Sequence, residues 1–327
     1  MKNNQTRDLA CMTLTLFPRN RSGALEISFG WLFAIIAGIV IIFLAIYLSS
    51  KLINVQQTTI SAETGQQIGI LLDPLETSFE SAQTTSITIP AETRINNICD
   101  SSGTFGEQFI QLDQQSFNKW VKTNINVGFE NKYLFSMKQV QGKKFYIFSK
   151  PFNFPFKIAD LMYITSSDVR YCFFDSPDEI NTEISQLNQS NLIIGNCSAG
   201  DIKICFGDNN CDINVDLNSN SVDKNGTSIY FGGADETALM YAAIFSDKDV
   251  YECQVKRLMS RVDEISSLYI DKELLTEKKG CDNNAGADLG ELSGLARNLN
   301  SSEDLGIIKM KADVVDGDNS ARKCLLW

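Results

Sequence analysis

The chain contains no histidine. Ser-His-Asp and Cys-His nucleophilic devices are therefore excluded, as is any zinc site that needs an imidazole. Basic residues are in deficit: 29 Lys+Arg stand against 40 Asp+Glu, a net charge of −11. The deficit deepens after residue 50, where 25 basic residues face 38 acidic ones, a net of −13. Such a segment repels nucleic acid and anionic lipid surfaces, and those partners are set aside. Lys143 and Lys144 follow Gly142 without the glycine frame of a phosphate loop. Asp208, Asn210, Asp212, Asn214 and Asp216 place oxygen at every second position, the ligand type that calcium prefers. Ile213 stands where an EF-hand requires glycine and Ser219 where it requires glutamate, so a solvated loop is expected. No cofactor, metal or catalytic residue is expected, and the reading is non-enzymatic.

One feature is present in full. Phe29 to Leu48 is a run of twenty residues without a charge. At about 1.5 Å per residue a helix of that length spans about 30 Å, the thickness of a bilayer core. Trp31 and Tyr47 lie near its two ends, where amphipathic rings prefer the headgroup level. Lys2, Arg7, Arg19 and Arg21 precede the run against Asp8 and Glu26, which favours a cytoplasmic N-terminus and an extracellular C-terminal body. Nine cysteines divide the same way. Cys11 lies before the run; Cys99, Cys172, Cys197, Cys205, Cys211, Cys253, Cys281 and Cys324 lie after it. An even set in an oxidising compartment predicts up to four disulfides. Cys205 and Cys211 are placed to close a hairpin, and Cys253 and Cys281 bracket a helix; reduced core cysteines are the alternative. The body also carries four N-glycosylation triplets, at Asn188, Asn196, Asn225 and Asn300.

Ahead of the run the order is Arg19-Asn-Arg21-Ser22-Gly23, then Ala24-Leu25-Glu26-Ile27-Ser28-Phe29. A basic stretch, a small residue and one acid at the threshold of an apolar helix resemble the class III signal of archaeal and bacterial type IV pilin-like proteins. The resemblance covers residues 19–50. It implies cleavage after Gly23 by a membrane peptidase, Ala24 as the mature N-terminus, and Glu26 as the acidic residue near the start of the mature helix. It also implies self-assembly through the helix, with Trp31–Tyr47 packing against neighbouring subunits. Glu26 stands third after that cut, where bacterial pilins carry the acid fifth. An uncleaved signal anchor with Glu26 in the interfacial region is the alternative. The chain as a whole also resembles single-span archaeal surface proteins.

Beyond the run, Leu52, Val55, Thr59 and Ala62 continue a helical spacing that Gly65 weakens and Pro74 ends. Ile68–Leu72 is an apolar patch able to dock this stalk. From Ser86 the period changes to two, predicting strands over Ser86–Pro90, Phe109–Leu112, Ile125–Phe129 and Tyr133–Phe135. A turn at Gln141–Lys144 would lead into Phe145–Phe148 as a hairpin. Phe152, Phe154 and Phe156 share one face of an extended chain, as core or as an exposed aromatic ridge. One or two further strands follow within Leu161–Phe174. Asp175–Glu179 starts a helix with Ile180, Ile184 and Leu187 on one side. Strands resume at Ile202–Phe206 and Ile229–Phe231, with a Ser/Asn/Asp-rich loop between. Residues 234–279 read as mostly helical, with a stripe of Tyr251, Val255, Leu258, Val262, Ile265 and Tyr269 and Gly280 as the C-cap. A short helix over Leu289–Leu299 and a closing strand through Ile308, Met310, Ala312 and Val314 complete the chain.

The expected architecture is α+β: a cytoplasmic leader over 1–23, a transmembrane helix and stalk over 24–74, and an extracellular, disulfide-braced domain over 75–327, of one or two subdomains. The expected role is binding or assembly at the cell surface, with membrane lipid as one partner. A non-polymerising receptor or adhesin for a protein or glycan is the first alternative. A tethered carboxylate-dependent hydrolase is the second.

Overall fold

A computed structural model describes residues 29–76, 83–116, 119–129, 131–207, 210–233, 236–281, 283–322 and 324–327. They fall into two compact units that divide between Asn54 and Val55, and each is taken by itself. Helix α1, Phe29–Glu76, runs for 48 residues. It passes Gly65 and ends two residues beyond Pro74, whose ring removes a donor and crowds the preceding turn. Trp31, Phe33, Ile39, Ile42 and Phe43 are all exposed along its first part. The side chains at Val55, Thr59, Ala62 and Ile68–Leu72 lie outside the described ones.

The body is α+β with two six-stranded sheets. The first has the order β3-β2-β1-β5-β6-β4, from β1 Gln83–Asp100, β2 Glu107–Ser116, β3 Lys119–Phe129, β4 Tyr133–Phe135, β5 Gln139–Asn153 and β6 Lys157–Ser166. Its pairs are antiparallel except β4 with β6. The expected turn at Gln141–Lys144 is not formed: β5 runs straight through it. Gly142 is there because β1 bulges opposite it, between Thr88 and Thr93. A β-carbon at Gly142 would strike the Ser166 hydroxyl at the end of β6, so the adjacent strand also favours glycine here. One face of this sheet closes on Ile87, Ile95, Ile110, Leu112, Phe145 and Ile164.

The second sheet has the order β12-β11-β10-β9-β7-β8, from β7 Tyr171–Phe174, β8 Leu192–Ile194, β9 Ile202–Phe206, β10 Ile213–Asp216, β11 Ser221–Lys224 and β12 Thr227–Tyr230. The segment expected as a loop therefore contains β10 and β11. β8, β7, β9 and β10 are mutually parallel. Cys205 and Cys211 thus close no hairpin. They brace a short return between two parallel strands, a connection that ordinarily takes a dozen residues or more. The Asn214 carboxamide grips both backbone groups of Cys211 at 3.1 Å, and Asp212 accepts from the Lys203 N–H at 2.8 Å. Asp216 accepts from the backbone N–H groups of Asn218 and Ser219. These oxygens all accept from backbone N–H groups; Asp208 lies outside the described residues.

Helix α2, Asp178–Leu187, buries Ile180, Ile184 and Leu187 as its spacing requires. The expected long helix breaks at Ser246–Asp247 into α3 Thr237–Phe245 and α4 Lys248–Glu277. α3 is apolar on every side, and Ala238 through Phe245 are all buried between strands of both sheets. The Tyr163 hydroxyl donates to the Ala238 carbonyl at 2.8 Å, and burial drives that phenol well above its ordinary value. On α4, Tyr251, Val255, Leu258 and Val262 are buried and Ile265 and Tyr269 half-buried, so the stripe is core. The N–H groups of Gly280 and Cys281 bond Glu277 and Thr276, a Schellman end with Gly280 at φ +84°. Phe152, Phe154 and Phe156 are buried in the main core, which retires the exposed ridge.

α4 is locked to the first sheet by a polar insert. Arg257 is 1% exposed, and its guanidinium donates to the carbonyls of Phe105 (2.9 Å) and Lys132 (2.9 Å) and to the Gln254 carboxamide (2.8 Å). It also lies over the Tyr133 ring. α5, Gly286–Arg297, packs on α4. The expected closing strand is instead a helix, α6 Leu305–Ser320. Leu305, Ile308, Ala312, Val315 and Asn319 are buried at intervals of three and four, while Met310 and Val314 face solvent.

Candidate functional site

Phe29–Leu52 is, among the described residues, the one helix long and apolar enough to cross a membrane. Its backbone polar groups are bonded within the helix, the condition for residence in hydrocarbon. Gly23, Ala24 and Glu26, with Arg19 and Arg21, lie outside the described residues.

All eight body cysteines are paired. Cys99–Cys253 ties β1 to α4, and Cys172–Cys197 ties β7 to the loop after β8. Cys205–Cys211 braces the β9–β10 return, and Cys281–Cys324 fastens the C-terminal segment behind α4. Their Cα–Cα distances, 6.1, 5.5, 5.9 and 5.8 Å, lie in the normal range for a bridge. No thiol is left among them for nucleophilic or ligand chemistry.

The body carries a polar cleft of about 390 Å³ between the end of β5, the start of α3 and one face of α6. Lys150 comes from β5, Glu236 from the α3 approach, and Lys309, Asp313 and Asp316 from α6. The 152–156 aromatic stretch supplies Phe154 and Pro155, joined by a cis peptide bond. Lys309 is buried. Its ammonium lies 2.5 Å from Asp313 and 3.8 Å from Glu236, so two carboxylates share one cation. Lys150 pairs with Glu183, which also accepts from the Tyr241 hydroxyl at 2.8 Å. Burial, with the Glu183 charge beside it, pushes the Tyr241 phenol far up. Asp316 accepts from the Trp327 indole N–H at 3.1 Å. Each acid is thus matched by a cation or donor. No local spacing joins Lys150, Glu236 and Lys309, and sequence reasoning did not find them.

A second hollow of about 380 Å³ opens at the carboxyl ends of β7 and β9. β8 lies to one side of β7 and β9 to the other, so the winding reverses there, the place where parallel sheets open crevices for ligands. Cys197, Cys205 and Cys211 line it with two disulfides, and Phe174 stands 41% exposed at its edge.

No protein family, curated protein or solved structure matches the chain.

Proposed function

We propose that this chain is a single-span membrane protein whose acidic body faces the oxidising side and acts by binding or assembly. The observation that carries the reading is the division of the chain: a water-incompatible helix at one end, and four disulfides confined to the body beyond it. The basic flank at Lys2, Arg7, Arg19 and Arg21 orients the body outward. The pilin-like version draws on Gly23, Ala24 and Glu26 ahead of a helix that continues unbroken to Glu76. In that version cleavage frees Ala24, and Glu26 offsets a charge that is costly inside an apolar bundle. A receptor or adhesin that stays monomeric is the second reading, favoured by the polar cleft and the open β7–β9 hollow.

Protease added to intact cells should remove the body, and alkylation without prior reduction should label none of its eight cysteines. A protected body with reactive thiols would end the proposal. N-terminal sequencing of the purified protein separates the versions: Ala24 supports pilin-like processing, and an intact leader supports the anchored receptor.

A further inference from the structure

We infer that Asn225 is an N-glycosylation site, an inference that rests on the outward-facing reading above. Asn225-Gly226-Thr227 forms the tip of the β11–β12 hairpin. Asn225 and Gly226 have φ of +52° and +75°, the paired left-handed residues of a two-residue type I′ turn. All three residues are exposed. The Gly226 N–H bonds the Asp223 carboxylate at 3.1 Å, and Lys224 pairs with Thr227 in the ladder, so these contacts close the turn without the Asn225 carboxamide. A β-carbon at Gly226 would meet nothing within 4 Å, so a bulky neighbour at the tip displaces no part of the fold.

The other three triplets differ in ways that matter. Their asparagines are exposed, but each hydroxyl or middle residue is committed elsewhere. Ser302, which completes the Asn300 triplet, is 1% exposed; its hydroxyl donates to Glu252 at 2.6 Å and accepts from the Tyr230 N–H at 3.2 Å. Ser190 sits 2.7 Å from the Tyr146 hydroxyl, beside a buried Gln189. Cys197 of the Asn196 triplet is bridged to Cys172. Surface placement is not automatic for asparagine here, since Asn191, Asn283 and Asn319 are all buried. Asn225 alone keeps the whole triplet open both before and after folding.

The donor is a sugar carried on a lipid phosphate. The Asn225 Nδ2 forms a bond to the anomeric carbon, the bond from that carbon to the phosphate oxygen breaks, and the lipid phosphate leaves with the electron pair. The amide gives up one proton, and nothing is oxidised or reduced.

The test uses protein purified from the membranes of its natural host. Cleavage after Lys224 and Lys248 releases residues 225–248, in which Asn225 is the only triplet. Mass spectrometry should find this peptide mainly with added sugar residues. Asn225→Asp, which tolerates the left-handed backbone, and Thr227→Val should both lose that mass and migrate faster on gels. Thr227→Ser should keep it. Sugar on residues 225–248, with or without sugar at the other triplets, supports the inference. A bare 225–248 peptide overturns it. If the body is bare yet protease-accessible with oxidised cysteines, the glycan inference fails while the topology stands. A bare, protected body with free thiols refutes both.

Discussion

Removing the Cys99–Cys253 bridge and the Cys205–Cys211 bridge should cost the body very different amounts, and two physical effects set opposite orders. Cys99 and Cys253 are half-buried or less, whereas Cys205 is fully buried. Packing alone would therefore make Cys205→Ala with Cys211→Ala the more damaging double variant. Loop closure argues the reverse. The first bridge joins residues 154 apart and the second residues 6 apart. Restricting the unfolded chain to loops of those lengths is worth about 5 and about 2 kcal/mol. The long loop also pins β1 to α4, beside the Arg257 insert, so its loss frees an interface between elements far apart in sequence. Closure should win: Cys99→Ala with Cys253→Ala should lower the melting temperature by about 10 to 20 °C, the short-loop pair by less than half of that. Near-ultraviolet circular dichroism of the full chain in detergent would track both. Equal losses, or a larger loss from the short loop, would refute the ranking and place the weight on local packing.

Arg257→Met keeps most of the volume but leaves the carbonyls of Phe105 and Lys132 and the Gln254 carboxamide without their donor. Phe105 is exposed, so its carbonyl can turn to water; at roughly 1–2 kcal/mol for each of the two buried acceptors that lose this donor, the expected loss is about 2–4 kcal/mol in urea unfolding. A loss under about 1 kcal/mol would show that the insert is dispensable. Lys224 donates to the carbonyls of Ile244 at 2.6 Å and Ser246 at 2.8 Å, at the end of α3. Burial lowers its ammonium to about 7, against a weaker opposing pull from Asp247. The unfolded lysine keeps its proton up to about pH 10. Between those values the unfolded state binds more protons, so stability should rise with pH, at up to about 1.4 kcal/mol per unit from this group. Lys224→Met should flatten that rise; parallel stability curves for variant and parent over about pH 7–10 would contradict it.

Much of the body was legible because its patterns are local. Ile180, Ile184 and Leu187, and the α4 series from Tyr251 to Val262, follow the helical period and are buried together. Phe152, Phe154 and Phe156 alternate and share the core. The errors arise where a local pattern has two solutions. Ile308, Met310, Ala312 and Val314 alternate, but Leu305, Ile308, Ala312 and Val315 also fit a helix, and packing against α5 chose the second. Gly142 looks like a turn residue because its partner's bulge, about 50 residues away, is invisible in its own neighbourhood. The parallel return at β9–β10 depends on a disulfide and on Asn214 and Asp212 in place of a crossover helix. Of the cysteine pairings only the local Cys205–Cys211 bridge was legible; the other three, like the Lys150–Glu236–Lys309 cleft, join residues that only the tertiary fold brings together.

The apolar helix can be weighed against the stability of the whole molecule. Sixteen large apolar residues between Phe29 and Leu52 are exposed along α1. Leaving each in water forgoes about 1.5–3 kcal/mol relative to burial, or some tens of kcal/mol in all. A folded domain has only about 5–15 kcal/mol of net stability, so no rearrangement of the body could offset such a surface. A water-soluble helical dimer would cover one face and leave the other wet, because Phe29–Leu48 has no polar side to turn outward. Lipid covers every side at once. Self-assembly then needs only the face that meets a neighbour, driven by packing rather than by escape from water. On this reasoning Glu26→Gln should leave membrane retention unchanged in sedimentation of cell membranes, while altering any helix-to-helix assembly detected by cross-linking. Release of that variant into the soluble fraction would show that the acid, and not the apolar run, governs where the protein resides.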